Sequence, residues 1–81
     1  MDDAKAREFA RCVGLELKGR IVARGFTALQ VATLLGRSPT AFTNWLNGKK
    51  PIPMVVFHQA CEVIGADPVM IVDDACRRVA R

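Results

Sequence analysis

Four glycines divide this chain into short helical segments, and their spacing constrains the fold more than any other feature. Gly25, Gly36, Gly48 and Gly65 each follow a run in which apolar residues recur every three or four positions. Glycine ends helices at such places because it adopts the left-handed conformation that other residues avoid. The spacing predicts four helix ends within 81 residues, with room for a fifth helix after the last glycine.

Capping residues predict where the later helices begin. Thr27 opens the sequence Thr-Ala-Leu-Gln, which fits a capping box. Ser38 before Pro39 and Asp67 before Pro68 each place an N-cap residue ahead of a proline, which suits the first helical position. We therefore expect an all-α fold in one domain spanning residues 1–81. The expected helices lie at about 3–24, 27–35, 38–47, 53–64 and 67–79.

The helical period predicts the buried face of each segment. The expected core positions are Phe9, Val13, Leu17 and Ile21 in the first helix, Val31, Leu34 and Leu35 in the second, Phe42, Trp45 and Leu46 in the third, and Phe57, Cys61 and Ile64 in the fourth. Gly14 and Gly19 allow a kink or a close helix crossing in the first helix. All three cysteines lie among apolar residues, and we expect them to pack in the core.

Charge is distributed unevenly along the chain, which carries a formal net charge of +4. Between Gly25 and Cys61 the only charged residues are Arg37, Lys49 and Lys50. An acid-free stretch of this length favours binding to a polyanion, although solvation by scattered cations is the simpler alternative.

Other classes of function find little support in the sequence. His58 has no nucleophile or paired carboxylate beside it, and the Asp73–Asp74 pair fits a solvated helix face, so we expect no enzyme activity, metal or cofactor. No apolar run reaches membrane-spanning length, and the N-terminus lacks a signal peptide's apolar region. We therefore expect a cytoplasmic protein without membrane association.

Helices two and three are joined by only a few residues around Gly36, a turn of the size found in DNA-binding helix-turn-helix motifs. In that motif the second helix lies in the major groove, so it needs an apolar inner face and short polar side chains outside. Helix three offers both. Its expected outer face consists of Thr40, Thr43, Asn44 and Asn47.

At these residues the sequence resembles the lambda-repressor and Cro-like helix-turn-helix domain, often called the XRE family. The resemblance runs from Leu17 to about Pro68 and includes Gly25-Phe26-Thr27, Val31-Ala32, Gly36, the run from Trp45 to Lys50, and Ile64-Gly65. It implies a compact five-helix domain with the helix-turn-helix at about 27–47. It also implies that Ala32 lets the two helices cross closely.

The resemblance further implies roles for individual residues in binding double-stranded DNA. The base-reading positions would be Thr40, Ala41, Thr43 and Asn44. The phosphate-binding positions would be Thr27, Ala28, Arg37, Asn47, Lys49 and Lys50. These roles are chemically reasonable, because helix N-termini bind anions, lysines release counterions, and asparagine can pair with adenine.

The sequence departs from the family pattern at four positions. Many members carry an arginine in helix one that pairs with a glutamate near the end of helix three, but Ile21 and Leu46 stand at those positions. Ala28 and Pro39 stand where glutamine is common at the starts of helices two and three. We expect an apolar contact in place of the ion pair, and more reliance on backbone contacts and DNA shape.

Two classes of function follow. The first is a sequence-specific transcriptional regulator, such as a small phage-type repressor or a Cro-like protein, without a small-molecule effector. The second is a protein-interaction module on the same fold, such as an antitoxin that neutralises a partner. The apolar run Met54-Val55-Val56 supports the second class, since helix four cannot bury all three residues.

Helix five, at about 67–79, carries more apolar residues than it needs to pack one face against a small core. Its candidate dimer residues are Val69, Val72, Cys76 and Val79, which follow the spacing of a short coiled-coil seam. The alternative is that Val69 and Val72 only close the monomer core. A dimer built on this seam would bind a near-palindromic DNA site.

Overall fold

A computed structural model describes residues 2–80 of the chain. Those residues form five α-helices and no β-strand. The helices are α1 (Asp3–Ala23), α2 (Ala28–Leu35), α3 (Pro39–Leu46), α4 (Met54–Ile64) and α5 (Pro68–Ala80). The predicted all-α fold class is confirmed, and each predicted helix is present to within a few residues at its ends.

The predicted caps account for these helix boundaries. Thr27 forms the full capping box, accepting from the Gln30 backbone N–H at 3.1 Å while its own N–H donates to the Gln30 side chain at 2.9 Å. The Ser38 hydroxyl accepts from Ala41, and an Asp67 carboxylate oxygen accepts from Val69. Each cap satisfies backbone donors that a helix start leaves without intrahelical partners.

The core is aliphatic, and most of the predicted core positions are buried. The fully buried large side chains come from every helix and include Leu17, Ile21, Val31, Phe42, Leu46, Val56 and Ile71. Phe9, Leu35 and Trp45 are partly buried against this cluster. Leu34 was predicted to be buried, and this was wrong: its side chain is 64% exposed, because Val31 and Ala32 fill the core side of the short α2 helix.

Ile21 and Leu46, which replace the family's ion pair, are each about 1% exposed within the same core cluster. An unpaired charge at either position would lose its hydration without gaining a partner. Two apolar side chains therefore suit this place, although their direct contact remains a prediction.

Helices α1 and α3 approach closely at Gly14. A Cβ atom added to Gly14 would overlap the carbonyl oxygen of Trp45 and would lie 3.3 Å from its carbonyl carbon. Gly19, five residues later in the same helix, has nothing within 4 Å of such an atom. The sequence allowed either a kink or a close helix crossing at these glycines, and a close crossing is found at Gly14.

Salt bridges join α1 to α5. Arg20 pairs with Asp74, and Arg78 pairs with Glu16 at 3.3 Å. Asp73 and Asp74 were predicted to form a solvated face; the Asp74 side chain is 37% exposed and also bonds to Arg20 on α1. Its neighbour Asp73 does lie at the surface, beside Arg77.

The cysteines occupy two environments. Cys12 and Cys61 are buried, whereas Cys76 is exposed on α5, so its predicted place in the core was wrong. Ile71 and Ala75 form the buried side of α5 and leave Cys76 outside. Burial raises the pKa of the Cys61 thiol to about 11 and also raises the pKa of Cys12.

Within residues 2–80, no single helix has the length and apolar character needed to cross a membrane. Helices α4 and α5 satisfy the length and composition criteria only when taken together, and they are bent by 117° relative to each other.

The crossing at Gly14 predicts opposite effects of the same substitution at two glycines of one helix. Gly14→Ala should destabilise the protein by more than about 2 kcal/mol, because the methyl group forces α1 and α3 apart. Gly19→Ala should stabilise it by about 0.5–1 kcal/mol through helix propensity. Urea unfolding followed by circular dichroism measures both, and a Gly14→Ala protein as stable as Gly19→Ala would contradict the close crossing.

The cysteine environments predict one reactive thiol in the folded protein. At pH 8 a chromogenic disulfide should modify Cys76 rapidly and the other two cysteines only slowly, because reaction requires an accessible thiolate. Cys76→Ser should remove the fast phase, and unfolding in urea should restore reaction at Cys12 and Cys61. Rapid modification of two thiols in the native protein would show that the core is more open than described.

Candidate nucleic-acid interface

Only residues 36–38 separate α2 from α3, and glycine makes this turn possible. Gly36 has φ +66°, the left-handed conformation, and ends α2. The next backbone N–H, from Arg37, donates to the Ala32 carbonyl at 2.9 Å and closes the turn. Ala32 is fully buried, so a larger side chain would have no room in this tightly packed part of the core.

Helix α3 is anchored by one face and exposes the other. Phe42 and Leu46 are buried, and the Trp45 ring packs edge-on against Phe42 with ring centroids 6.4 Å apart. The spacing i, i+3, i+4 puts these three side chains on the core side of the helix. A core role for both aromatic residues is therefore favoured over base stacking.

The four predicted base-reading residues lie away from that anchor. Thr40 and Thr43 are exposed, while Ala41 and Asn44 are half-buried. Among residues 2–80, the Thr40, Thr43 and Asn44 side chains take part in no hydrogen bond within the chain. Their hydrogen-bonding groups are therefore available to a ligand.

The start of α2 offers fewer donors to a phosphate than the sequence suggested. The capping box already occupies the backbone N–H groups of Thr27 and Gln30, and the Val31 N–H bonds to the Thr27 carbonyl. The N–H groups of Ala28 and Leu29 remain as orphan donors of the first turn. Thr27 can contribute the proton of its hydroxyl, since that oxygen serves only as an acceptor in the cap.

The cations beside α3 are not neutralised. Arg37 precedes the helix, Lys49 and Lys50 follow it, and all three are exposed. No carboxylate in the described part of the chain forms a salt bridge with any of them. The ion pairs found between residues 2 and 80 all lie within or between α1, α4 and α5. The three cations that flank α3 therefore keep their positive charge uncompensated by any salt bridge within the described residues.

Asn47, the last of the predicted phosphate-binding residues, is held by a residue that the sequence analysis missed. The Lys18 ammonium on α1 donates to the Asn47 side-chain oxygen at 2.7 Å. The two residues are separated by 29 positions, and nothing in the helical period of α1 indicates which neighbour Lys18 meets.

The candidate dimer residues divide into two pairs. Val69 is 72% exposed and Cys76 is also exposed, whereas Val72 and Val79 are partly buried against the core. Exposed Met54 lies with Val69 and Val72 along an apolar groove between α4 and α5. The monomer therefore uses half of the predicted seam and leaves the other half uncovered by residues 2–80.

The family model described as "Helix-turn-helix domain" matches residues 13–72. The chain belongs to this helix-turn-helix family. The match contains the whole of α2, α3 and α4, so the family assignment agrees with the geometry of the turn and confirms the resemblance seen in the sequence. No curated protein and no solved structure matches this chain.

Membership of the helix-turn-helix family indicates a DNA-binding regulator, and the family is typically non-enzymatic. Within the described residues, no group of three or more histidine, cysteine, aspartate or glutamate side chains is arranged to hold a metal ion. His58 is exposed on α4, and its ring lies 3.3 Å from the Glu62 carboxylate.

Proposed function

We propose that this protein binds double-stranded DNA in a sequence-specific manner and regulates transcription, as a small phage-type repressor or Cro-like protein does. Helix α3 would lie in the major groove, and α2 would cross above it with its first turn near the phosphate backbone. This proposal is finer than the family assignment, which indicates only a DNA-binding regulator.

The observation that carries the proposal is the contrast between the two faces of α3. One face is fixed in the core by Phe42 and Leu46, while the other presents short polar side chains without partners in the described chain. Uncompensated cations precede and follow the helix. A polyanion with hydrogen-bonding groups in a groove matches this arrangement better than an acidic or apolar protein surface would.

Base recognition would rest mainly on Asn44, with help from the threonines. An asparagine amide can donate to and accept from the adenine edge, and threonine methyl groups can contact thymine methyl groups. Ala28 and Pro39 offer no such side-chain donors at the starts of α2 and α3. Backbone contacts and DNA deformability would then supply the remaining discrimination.

A homodimer on a near-palindromic site is the second part of the proposal. Val69 and Met54 are 72% and 82% exposed and lie along one apolar groove, which offers apolar surface for a contact between two copies. A two-fold contact through this groove would bury the surface symmetrically. To read two half-sites one DNA turn apart, this contact would have to place two α3 helices about 34–36 Å apart.

The same exposed surface supports a second candidate function. If a different protein covers Met54 and Val55, which are 82% and 63% exposed, the domain would act as an interaction module such as an antitoxin. The two candidates differ in what they bind. Incubation with random duplexes, followed by separation and sequencing of the bound fraction, should enrich one motif for a DNA reader. No enrichment, with tight co-purification of one protein partner, would favour the interaction module.

Substitutions around α3 should separate phosphate contacts from base reading. Lys49→Ala and Lys50→Ala should weaken binding to all duplexes alike and lower the slope of log affinity against log salt by about one each. Asn44→Ala should cost about 1–3 kcal/mol on the selected site and relax one base position. Fluorescence anisotropy at several salt concentrations measures both effects.

Lys5→Ala is the matched charge control, because Lys5 is an exposed lysine at the start of α1 that lies beside Val79 of α5. It should leave the site preference and the salt slope close to those of the wild type. An unchanged selected motif with Asn44→Ala would remove Asn44 from base reading.

The dimer can be tested without disturbing the monomer core. Val69→Glu should shift the sedimentation coefficient from dimer to monomer at micromolar concentration, because a carboxylate would be desolvated in the two-fold contact. Val22→Glu is the control, since Val22 on α1 is similarly exposed at 68%. A wild type that sediments as a monomer and binds an asymmetric site would contradict the dimer.

A further inference from the structure

One face of α1 contacts the end of α3 at three successive points. Arg11, Gly14 and Lys18 are spaced i, i+3 and i+7, which places them along a single side of the helix. Gly14 meets the Trp45 carbonyl, Lys18 bonds to Asn47, and the aliphatic part of Arg11 lies against Gly48. Helix α1 therefore holds in place the end of α3 and the turn that leads to Lys49 and Lys50.

The chemistry of the Lys18–Asn47 bond determines which way the asparagine amide faces. An ammonium group only donates hydrogen bonds, so its partner at 2.7 Å must be the side-chain oxygen Oδ1. The NH₂ group of Asn47 is consequently turned away from Lys18. The backbone N–H of Asn47 is already bonded to the Thr43 carbonyl at 2.9 Å, so the side-chain amide is the donor left for a ligand.

Lys18 still has hydrogen-bond donors and a positive charge available to a ligand. An ammonium carries three N–H groups, and the bond to neutral Asn47 uses one of them without cancelling the charge. Lys18 is exposed, and no carboxylate among residues 2–80 forms a salt bridge with it. Arg11, at the other end of the face, differs because Glu8 neutralises it at 2.6 Å.

We infer that Lys18 and Asn47 form a two-residue clamp for one phosphate of the DNA backbone. Asn47 donates from its amide, and Lys18 supplies a charge-assisted donor while holding that amide in place. The inference rests on the proposed function and adds a DNA contact from α1, outside the α2–α3 unit. A solvated lysine that only bridges two helices would leave the ionic part of DNA binding unchanged.

Four variants test the clamp on the duplex that the wild type selects. Lys18→Met and Asn47→Ala should each weaken binding roughly tenfold, as expected for one charge-assisted hydrogen bond. The double variant should lose less affinity than the product of the two single losses, because Asn47 depends on Lys18 for its orientation. Lys18→Met should also lower the salt slope by about one, and Lys18→Arg should restore that slope.

Lys5→Met is the matched control, since it removes the same charge from the same helix beside Val79 instead of α3. If the wild type binds DNA but Lys18→Met and Lys5→Met have the same slope of log affinity against log salt, the clamp is overturned. Independent, multiplying losses from Lys18→Met and Asn47→Ala would overturn it as well. Failure of the wild type to bind any duplex would overturn the proposed function, and the clamp with it.

Discussion

The close crossing of α1 and α3 at Gly14 is the contact on which the rest of the domain depends. The absence of a side chain at Gly14 lets the two backbones approach until Gly14 meets the Trp45 carbonyl. That approach seats Leu46 in the core and brings Lys18 within hydrogen-bonding distance of Asn47. The position of the candidate recognition helix is thus determined by a helix that lies outside the helix-turn-helix motif.

The salt bridges between helices join α1 to α5, whereas the cations that flank α3 are unpaired within the described residues. Salt bridges between Arg20 and Asp74 and between Arg78 and Glu16 join α1 to α5, where they cancel positive charge and tie the chain's two end helices together. Arg24 also donates to the Ile64 and Gly65 carbonyls and so satisfies the end of α4. Arg37, Lys49 and Lys50, which flank α3, form no salt bridge within residues 2–80 and so keep their charge where a polyanion would bind.

Local chemistry was predictable from the sequence, and packing between helices was less so. The caps at Thr27 and Asp67 follow from residues only two or three positions apart, so the helix boundaries could be predicted. The exposure of Leu34 and Cys76 could not, because helical period identifies an apolar face wider than the strip a small core can cover. The partner of Lys18 was also hidden, since it depends on how α1 crosses α3.

Residues outside the family match are part of the packed core of this domain. The family match ends at residue 72, yet Ala75 is fully buried and Asp74 bonds to α1. At the other end, Arg11 and the buried Cys12 lie just before the match begins. The segment that carries the family's sequence signal is therefore smaller than the unit that packs into one core. Grafting residues 13–72 alone into another protein would transfer the recognition motif without the outer turns of α1 and α5 that hold it in shape.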